Sequence, residues 1–263
     1  MSNVQQRLAP ARPWTELRAL VAAVAFLTRI PVGRWLVLDG DDVARAGPAF
    51  PLVGAGIGAA VGAIATVLAR PLSPLLAVAL ALAAGTLLTG ALHLDALADT
   101  ADACGARSRE RALAIMRDHA VGAYGAVAIA IDLLIKAGAL SALRDEQLLR
   151  FAIAAGALSR LTPVLLAASL PYARASGGAG DSLTRGGRPR AAAASIVAVA
   201  IAVAAAGVDG AIVTACAVAT AMLAAPILRR WLGGVTGDVL GASVELTELV
   251  VLIAAVALSG ARA

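Results

Sequence analysis

Apolar runs of roughly twenty residues, each closed by arginine, glycine or proline, recur along most of the chain, and they constrain its fold more than any other feature. The clearest covers residues 49–69 and contains FPLVGAGIGAAVGAIATVLA. Residues 73–91 would cross back, and further spans are read at 126–143, 148–170, 191–206, 211–228 and 244–259. Lipid offers no partners for backbone N–H and C=O groups, so such runs cross as helices that satisfy their own polar groups. A mean hydropathy of +0.85 fits this reading. The expected fold is an all-α integral membrane protein with about seven transmembrane helices, forming one polytopic domain over residues 1–263. Residues 14–30 are apolar but short, interrupted by Glu16 and Arg18 and closed by Arg29 and Pro31. They read as an interfacial or half-buried helix. Residues 1–13 are polar and read as a mobile cytoplasmic tail.

A net charge of +5 raises the question of a nucleic-acid partner. The arginines lie in short loops between apolar runs, where they orient a protein in a membrane, so no nucleic acid is expected. Loops before residue 49, between 91 and 126, at 171–190 and at 229–243 carry most of them, and counting spans puts all four on one side, the cytoplasmic one. Cys104 and Cys216 lie far apart without metal-ligand spacing, which argues against a disulfide framework or a zinc site. Gly54, Gly58 and Gly62 recur every fourth residue, a stripe suited to close helix packing. Two spans carry charge: Asp132 and Lys136 in one, and Arg160, flanked by Ser159 and Thr162, in another. The first pair reads either as self-neutralising, with ends that snorkel, or as a functional charge pair inside the span. An arginine at the depth of Arg160 faces the bundle interior or a wet cavity and marks a candidate site.

Polar chemistry concentrates in two blocks. Residues 89–125, TGALHLDALADTADACGARSRERALAIMRDHAVGAYG, hold both histidines of the chain, His93 and His119. Here Asp95, Asp99 and Asp102 stand at i, i+4 and i+7, within roughly 60° of one another on a helix. Like charges stacked on one face repel unless a cation covers them, and carboxylates are hard ligands suited to Mg²⁺ or Mn²⁺. The second block, RRWLGGVTGDVLGASVELTE at 229–248, places Thr236, Gly237 and Asp238 in a glycine-rich turn leading into a helix. Backbone N–H groups in such a turn can hold phosphate oxygens, although the match to a Walker A loop is poor. Glu245 and Glu248 share a face at i, i+3. Acidic ligands, a glycine turn and the arginines Arg107, Arg109, Arg111 and Arg117 together suggest phosphoryl chemistry.

The blocks HLDALADTADACGA, RERALAIMRDHAVGAYGA and GGVTGDVLGASVELTE, with FPLVGAGIG and Arg160, resemble the signatures of the cobalamin synthase (adenosylcobinamide-GDP ribazoletransferase) family. The resemblance runs from about Thr28 to the C-terminus, with departures at Ala96 and Ala103, where the family usually has glycine, and at His119. It implies a Mg²⁺-dependent membrane transferase of the bacterial cytoplasmic (inner) membrane, its active site facing the cytoplasm. A ribose hydroxyl of α-ribazole, or of its 5′-phosphate, would attack the phosphorus next to the cobinamide arm of adenosylcobinamide-GDP and release GMP. On this resemblance Asp95, Asp99, Asp102 and Asp238 are the expected metal ligands and catalytic carboxylates. Arg117 and Arg160 are expected phosphate contacts, and Thr236, Gly237 and Glu245 substrate contacts. His93 is a base, a substrate contact or a structural hydrogen-bonder. The implied partners are the two substrates and the lipid bilayer; a homo-oligomer or association with other cobalamin-pathway enzymes stays open. Two rival readings remain: a CDP-alcohol phosphotransferase, although the arginine usual between its acidic pairs is missing, and a cation transporter.

Overall fold

A computed structural model describes residues 14–32, 37–118, 120–175, 177–178 and 180–260, without the side chain of Asp145. The expected tail at 1–13 and His119 lie outside the described residues. The chain forms, in order, α1 (Thr15–Leu27), α2 (Gly40–Arg45), α3 (Phe50–Leu68), α4 (Pro74–Thr89), α5 (Leu92–Ala103), α6 (Arg109–Ile115), α7 (Ala123–Ala142), α8 (Asp145–Ser169), α9 (Asp181–Thr184), α10 (Gly187–Ala206), α11 (Val208–Leu232) and α12 (Gly237–Gly260). Among the described residues, six helices are long and apolar enough to cross a membrane, or seven if α4 and α5 count as one bent span. That agrees with the all-α membrane fold expected from the apolar runs.

Helix α8 is the axis of the bundle. It packs against α3, α10, α11 and α12, and 83% of its apolar window is buried. The glycine stripe on α3 is its closest contact. A methyl group on Gly54 would strike the Gly156 carbonyl, one on Gly156 would strike the Gly54 carbonyl, and one on Gly58 would strike the Ala152 carbonyl. Lipid tails are as apolar as leucine, so helices in a bilayer associate through such backbone proximity rather than through water exclusion. The outer helices keep apolar faces open: Leu134 on α7, Ile196 on α10 and Met222 on α11 are each at least 70% exposed. Contiguous apolar surface of this kind belongs against lipid.

Helix α1 is 13 residues long, about 20 Å at 1.5 Å per residue, too short to span. It buries Ala19, Ala22, Ala23 and Leu27, leaves Trp14 and Leu17 exposed, and pairs Arg18 with Asp42 of α2 at 2.6 Å. This is the half-buried helix that Glu16 and Arg18 forecast.

The span read at 73–91 differs in detail. Helix α4 has 16 residues, about 24 Å, and stops at Thr89; α5 then leaves at 90°. Gly90 (φ +65°) donates its N–H to Leu87 and Ala91 donates to Thr86, a Schellman ending that satisfies the last carbonyls of α4. Ala91 is also left-handed at φ 58°, unusual for a residue with a Cβ, and its carbonyl accepts the first bond of α5 from Asp95. A methyl group on Gly90 would collide with the Arg29 side chain, so the bend is seated against the chain leaving α1.

Candidate active site

The bend turns α5 across the bundle, where it packs on α7 and α12. Contact with α12 is close because Gly241 lies under Ala96, and a methyl group there would strike the Ala96 methyl. The last turn of α5 is tied to α7 differently. Asp102 accepts the backbone N–H groups of Gly122 at 2.7 Å and Gly125 at 2.9 Å, and a Cβ at either glycine would run into its carboxylate. Asp102 therefore holds the first turn of α7, whose opening N–H groups carry partial positive charge.

The second block enters from the other side. A parallel bridge pairs Tyr172 with Val235: Ala173 donates to the Val235 carbonyl at 2.8 Å, and Val235 donates to the Pro171 carbonyl at 2.9 Å. Gly234 is bare because a Cβ would strike the Pro171 carbonyl. Arg109 donates to the Ala173 carbonyl at 3.1 Å, so α6 secures the same junction. Thr236 is fully buried and caps α12 by accepting the Val239 N–H at 3.3 Å. The span read as 244–259 in fact begins at Gly237, so Thr236, Gly237 and Asp238 form the N-terminus of the spanning helix itself.

These two arrangements place Asp95, from α5, and Gly237 and Asp238, from α12, in the wall of one cavity of about 160 Å³. His93 and Ala96 line it as well, together with apolar side chains from α1, α3, α9 and α12. Asp238 receives Arg174 Nη2 at 2.5 Å and the Thr236 hydroxyl at 3.2 Å. Arg174 also reaches the Met116 carbonyl at 3.4 Å, while its Nε is buried with no hydrogen-bond partner among the described residues.

Behind His93 lies a second, smaller cavity of about 50 Å³ that His93 lines together with Lys136, Arg160, Glu245 and Glu248. Lys136 donates to Glu245 and lies 3.1 Å from Asp132 and 3.9 Å from Glu248. Arg160 donates to Glu248 at 2.9 Å and to the Ser159 hydroxyl at 2.9 Å. The snorkelling read for Asp132 and Lys136 does not occur: both are buried, and the lysine is shared among three carboxylates on two helices. Buried charges are tolerated only in such paired networks.

Among the expected site residues, Asp95, His93, Gly237 and Asp238 therefore gather at one cavity. Asp99 lies half-buried one turn along α5 from Asp95, and Thr236 sits beneath Asp238. Arg160 and Glu245 lie at the second cavity, each engaged by a partner of opposite charge. Arg117 is exposed just beyond α6. Among the described residues no three His, Cys, Asp or Glu side chains converge so as to hold a metal by themselves. Mg²⁺ does not need such a cage; it takes one or two carboxylates and fills its octahedron with water and substrate phosphate oxygens. Asp95 and Asp238, hard oxygen donors in one wall, fit that mode of binding.

A family model described as cobalamin-5-phosphate synthase matches residues 19–256, nearly the whole chain. The chain belongs to that family. Its curated relatives include an adenosylcobinamide-GDP ribazoletransferase of Chlorobium phaeobacteroides (strain BS1), 36% identical over 251 residues, which are 92% of this chain and 99% of the relative. Another of the same name, from Escherichia coli (strain K12), is 38% identical over 239 residues, covering 89% and 97% of the two chains. No solved structure matches the chain.

Sequence reasoning did not single out Arg174, Phe26 or Leu183. Arg174 is one of several arginines in a glycine-rich loop, and only the Tyr172–Val235 bridge sets it apart. Phe26 and Leu183 read as ordinary apolar residues, and nothing in their spacing marks them as cavity wall.

Proposed function

We propose that this protein performs the joining step of cobalamin biosynthesis, linking adenosylcobinamide-GDP to α-ribazole, or to α-ribazole 5′-phosphate, with release of GMP. The observation that carries the reading at residue level is the meeting of Asp95 and Asp238, from blocks far apart in sequence, in one cavity wall. Family membership favours this reading over a CDP-alcohol phosphotransferase or a cation transporter.

The acceptor's ribose hydroxyl forms a bond to the phosphorus next to the cobinamide arm, the bond from that phosphorus to the GMP oxygen breaks, and the hydroxyl proton is lost. Mg²⁺, when bound, neutralises charge on the diphosphate and on the departing GMP. Asp95 and Asp238 would hold it, with Asp99 one turn away on the same helix face. Arg174, donating to Asp238 at 2.5 Å, holds that carboxylate in a fixed orientation. His93, which lines both cavities, would orient a substrate oxygen. The arginine-bearing loops support a multi-pass protein of the bacterial cytoplasmic membrane with this cavity at its cytoplasmic side.

The test is purified protein in lipid nanodiscs supplied with adenosylcobinamide-GDP and α-ribazole, following GMP by chromatography. GMP release should stop with a chelator and return with Mg²⁺. Asp95→Asn and Asp238→Asn should each lower kcat/KM by about 100-fold or more. A protein that stays folded yet yields no GMP under any of these conditions would overturn the reading.

A further inference from the structure

The cavity beside Asp95 and Asp238 has a chemical character that the transfer reaction alone does not require. Away from its acidic rim its walls are apolar: Phe26, Phe50, Pro163, Leu183, Leu240 and Val244. Phe26 and Phe50 stack with ring centroids 5.7 Å apart and planes 29° from parallel. Phe50 is 1% exposed, so its position is fixed by the core, and Phe26 lies over it from the half-buried α1. Apart from His93, the polar side chains in the wall are those two aspartates.

Resting on the proposed function, the groups that must be seated near the reacting phosphorus are a corrin ring, a guanine base and the base of the acceptor nucleoside. The corrin is far larger than a cavity of about 160 Å³. Guanine presents a full edge of donors and acceptors; only His93, Asp95 and Asp238 could pair any of them, and the apolar remainder of the wall would leave the rest unpaired after stripping their water. The acceptor base is a bicyclic, methylated benzimidazole whose single free ring nitrogen is its one hydrogen-bonding atom, so most of its surface is apolar. Its size is of the right order as well: a dry cavity of ~150 Å³ lined by Leu, Ile and Phe takes benzene, and this one, of about 160 Å³, is not fully enclosed. Aromatic faces favour offset stacking on such a base.

We propose that this cavity is the acceptor subsite, in which the benzimidazole-type base lies against Phe26 and Phe50 and directs its ribose toward Asp95 and Asp238. The guanine and the corrin of the donor then remain outside it. Specificity for an apolar base follows from what the wall lacks. A purine nucleoside entering the same cavity loses its water and regains few partners, since His93, Asp95 and Asp238 are the only polar side chains in the wall.

The experiment uses the full chain in nanodiscs, with α-ribazole as the probe. Equilibrium dialysis of labelled α-ribazole should show binding that free 5,6-dimethylbenzimidazole competes away and that GMP does not. Phe26→Ala should weaken that binding at least tenfold and raise the KM for α-ribazole correspondingly, leaving the KM for adenosylcobinamide-GDP within twofold. Leu183→Trp, which fills the cavity from α9, should have the same effect, and Phe26→Leu should restore part of the affinity. The proposal is overturned if both Phe26→Ala and Leu183→Trp leave α-ribazole binding unchanged. It is likewise overturned if they act on the KM of the corrinoid nucleotide instead, if GMP competes, or if an acyl chain co-purifies in the cavity and α-ribazole does not displace it. Wild-type protein that binds α-ribazole but releases no GMP would sink the transfer reading and leave the subsite standing; turnover with unaltered α-ribazole binding in both variants would do the reverse.

Discussion

Arg174 and Asp238, 64 positions apart, meet at 2.5 Å where the loop after α8 is pinned beside the start of α12. The contact joins a glycine-rich loop to the acidic rim of the cavity, and it places a cation directly behind a carboxylate proposed to bind metal. The guanidinium and the Thr236 hydroxyl both donate to Asp238, so the carboxylate is held from two sides.

Removing either partner should act on the same step. Arg174→Ala and Asp238→Asn should each reduce kcat/KM by about 100-fold or more, and the double variant should lose far less than the product of the two. Arg174→Lys keeps the charge but not the planar fork, so it should recover only part of the activity. Simple multiplication of the two losses in the double-mutant cycle would mean that the pair is not a unit.

Lys136 balances Asp132, Glu245 and Glu248 inside the bundle. Lys136→Met should destabilise the protein by about 3–5 kcal/mol, because it strands buried carboxylates rather than merely losing an ion pair. Adding Glu245→Gln to that variant should recover part of the loss. Thermal unfolding in detergent, followed by helical circular dichroism, measures both; a Lys136→Met protein as stable as wild type would show the cluster to be hydrated.

The α3–α8 contact separates two neighbouring glycines. Gly58→Val must push the α8 backbone away at Ala152 and should leave little folded protein in the membrane. Gly56→Ala meets nothing within 4 Å and should be neutral or slightly stabilising, since alanine is the better helix former. Membrane yield and melting temperature of the two variants give the comparison, and equal behaviour would refute the backbone contact.

Ala91 holds the bend between α4 and α5 in the left-handed region at φ 58°. Ala91→Gly should stabilise the protein by up to about 1 kcal/mol, the cost of a Cβ there less the added freedom of glycine when unfolded. Ala91→Val should be strongly destabilising and should lower activity as well, because α5 would lose its angle. A stable and active Ala91→Val protein would show that the bend is not fixed by this residue.

The hydrogen bond from Arg18 holds the Asp42 carboxyl below its ordinary value of 3.8. A depressed folded-state pKa contributes stability that is complete above the unfolded value and lost as pH falls through the folded one. The melting-temperature difference between wild type and Asp42→Asn should therefore be constant from pH 7 to about 5 and shrink below about 4. A difference that grows on acidification would contradict the assignment.

The sequence alone determined the class of this protein and much of its scaffold. Apolar runs of membrane length, the four-residue glycine period on α3 and the charge-broken first helix are local patterns. Their physical meaning, burial in lipid or against a backbone, needs no knowledge of the partner. The two polar blocks were legible for the same reason: aspartates one turn apart share a face whatever lies opposite. Tertiary structure alone decided who faces whom. The i, i+4 spacing gave Lys136 to Asp132, yet Glu245 of α12 is its nearest partner. The i, i+7 spacing put Asp102 on the face of Asp95, and only the tertiary structure showed that its carboxylate also caps the start of α7. Arg174 and Phe26 became part of the site only because a single backbone bridge and a docked half-helix carry them there. Short-range periodicity fixes which way a side chain points on its own helix. The identity of the group it meets depends on contacts between segments tens of residues apart, which no local pattern encodes.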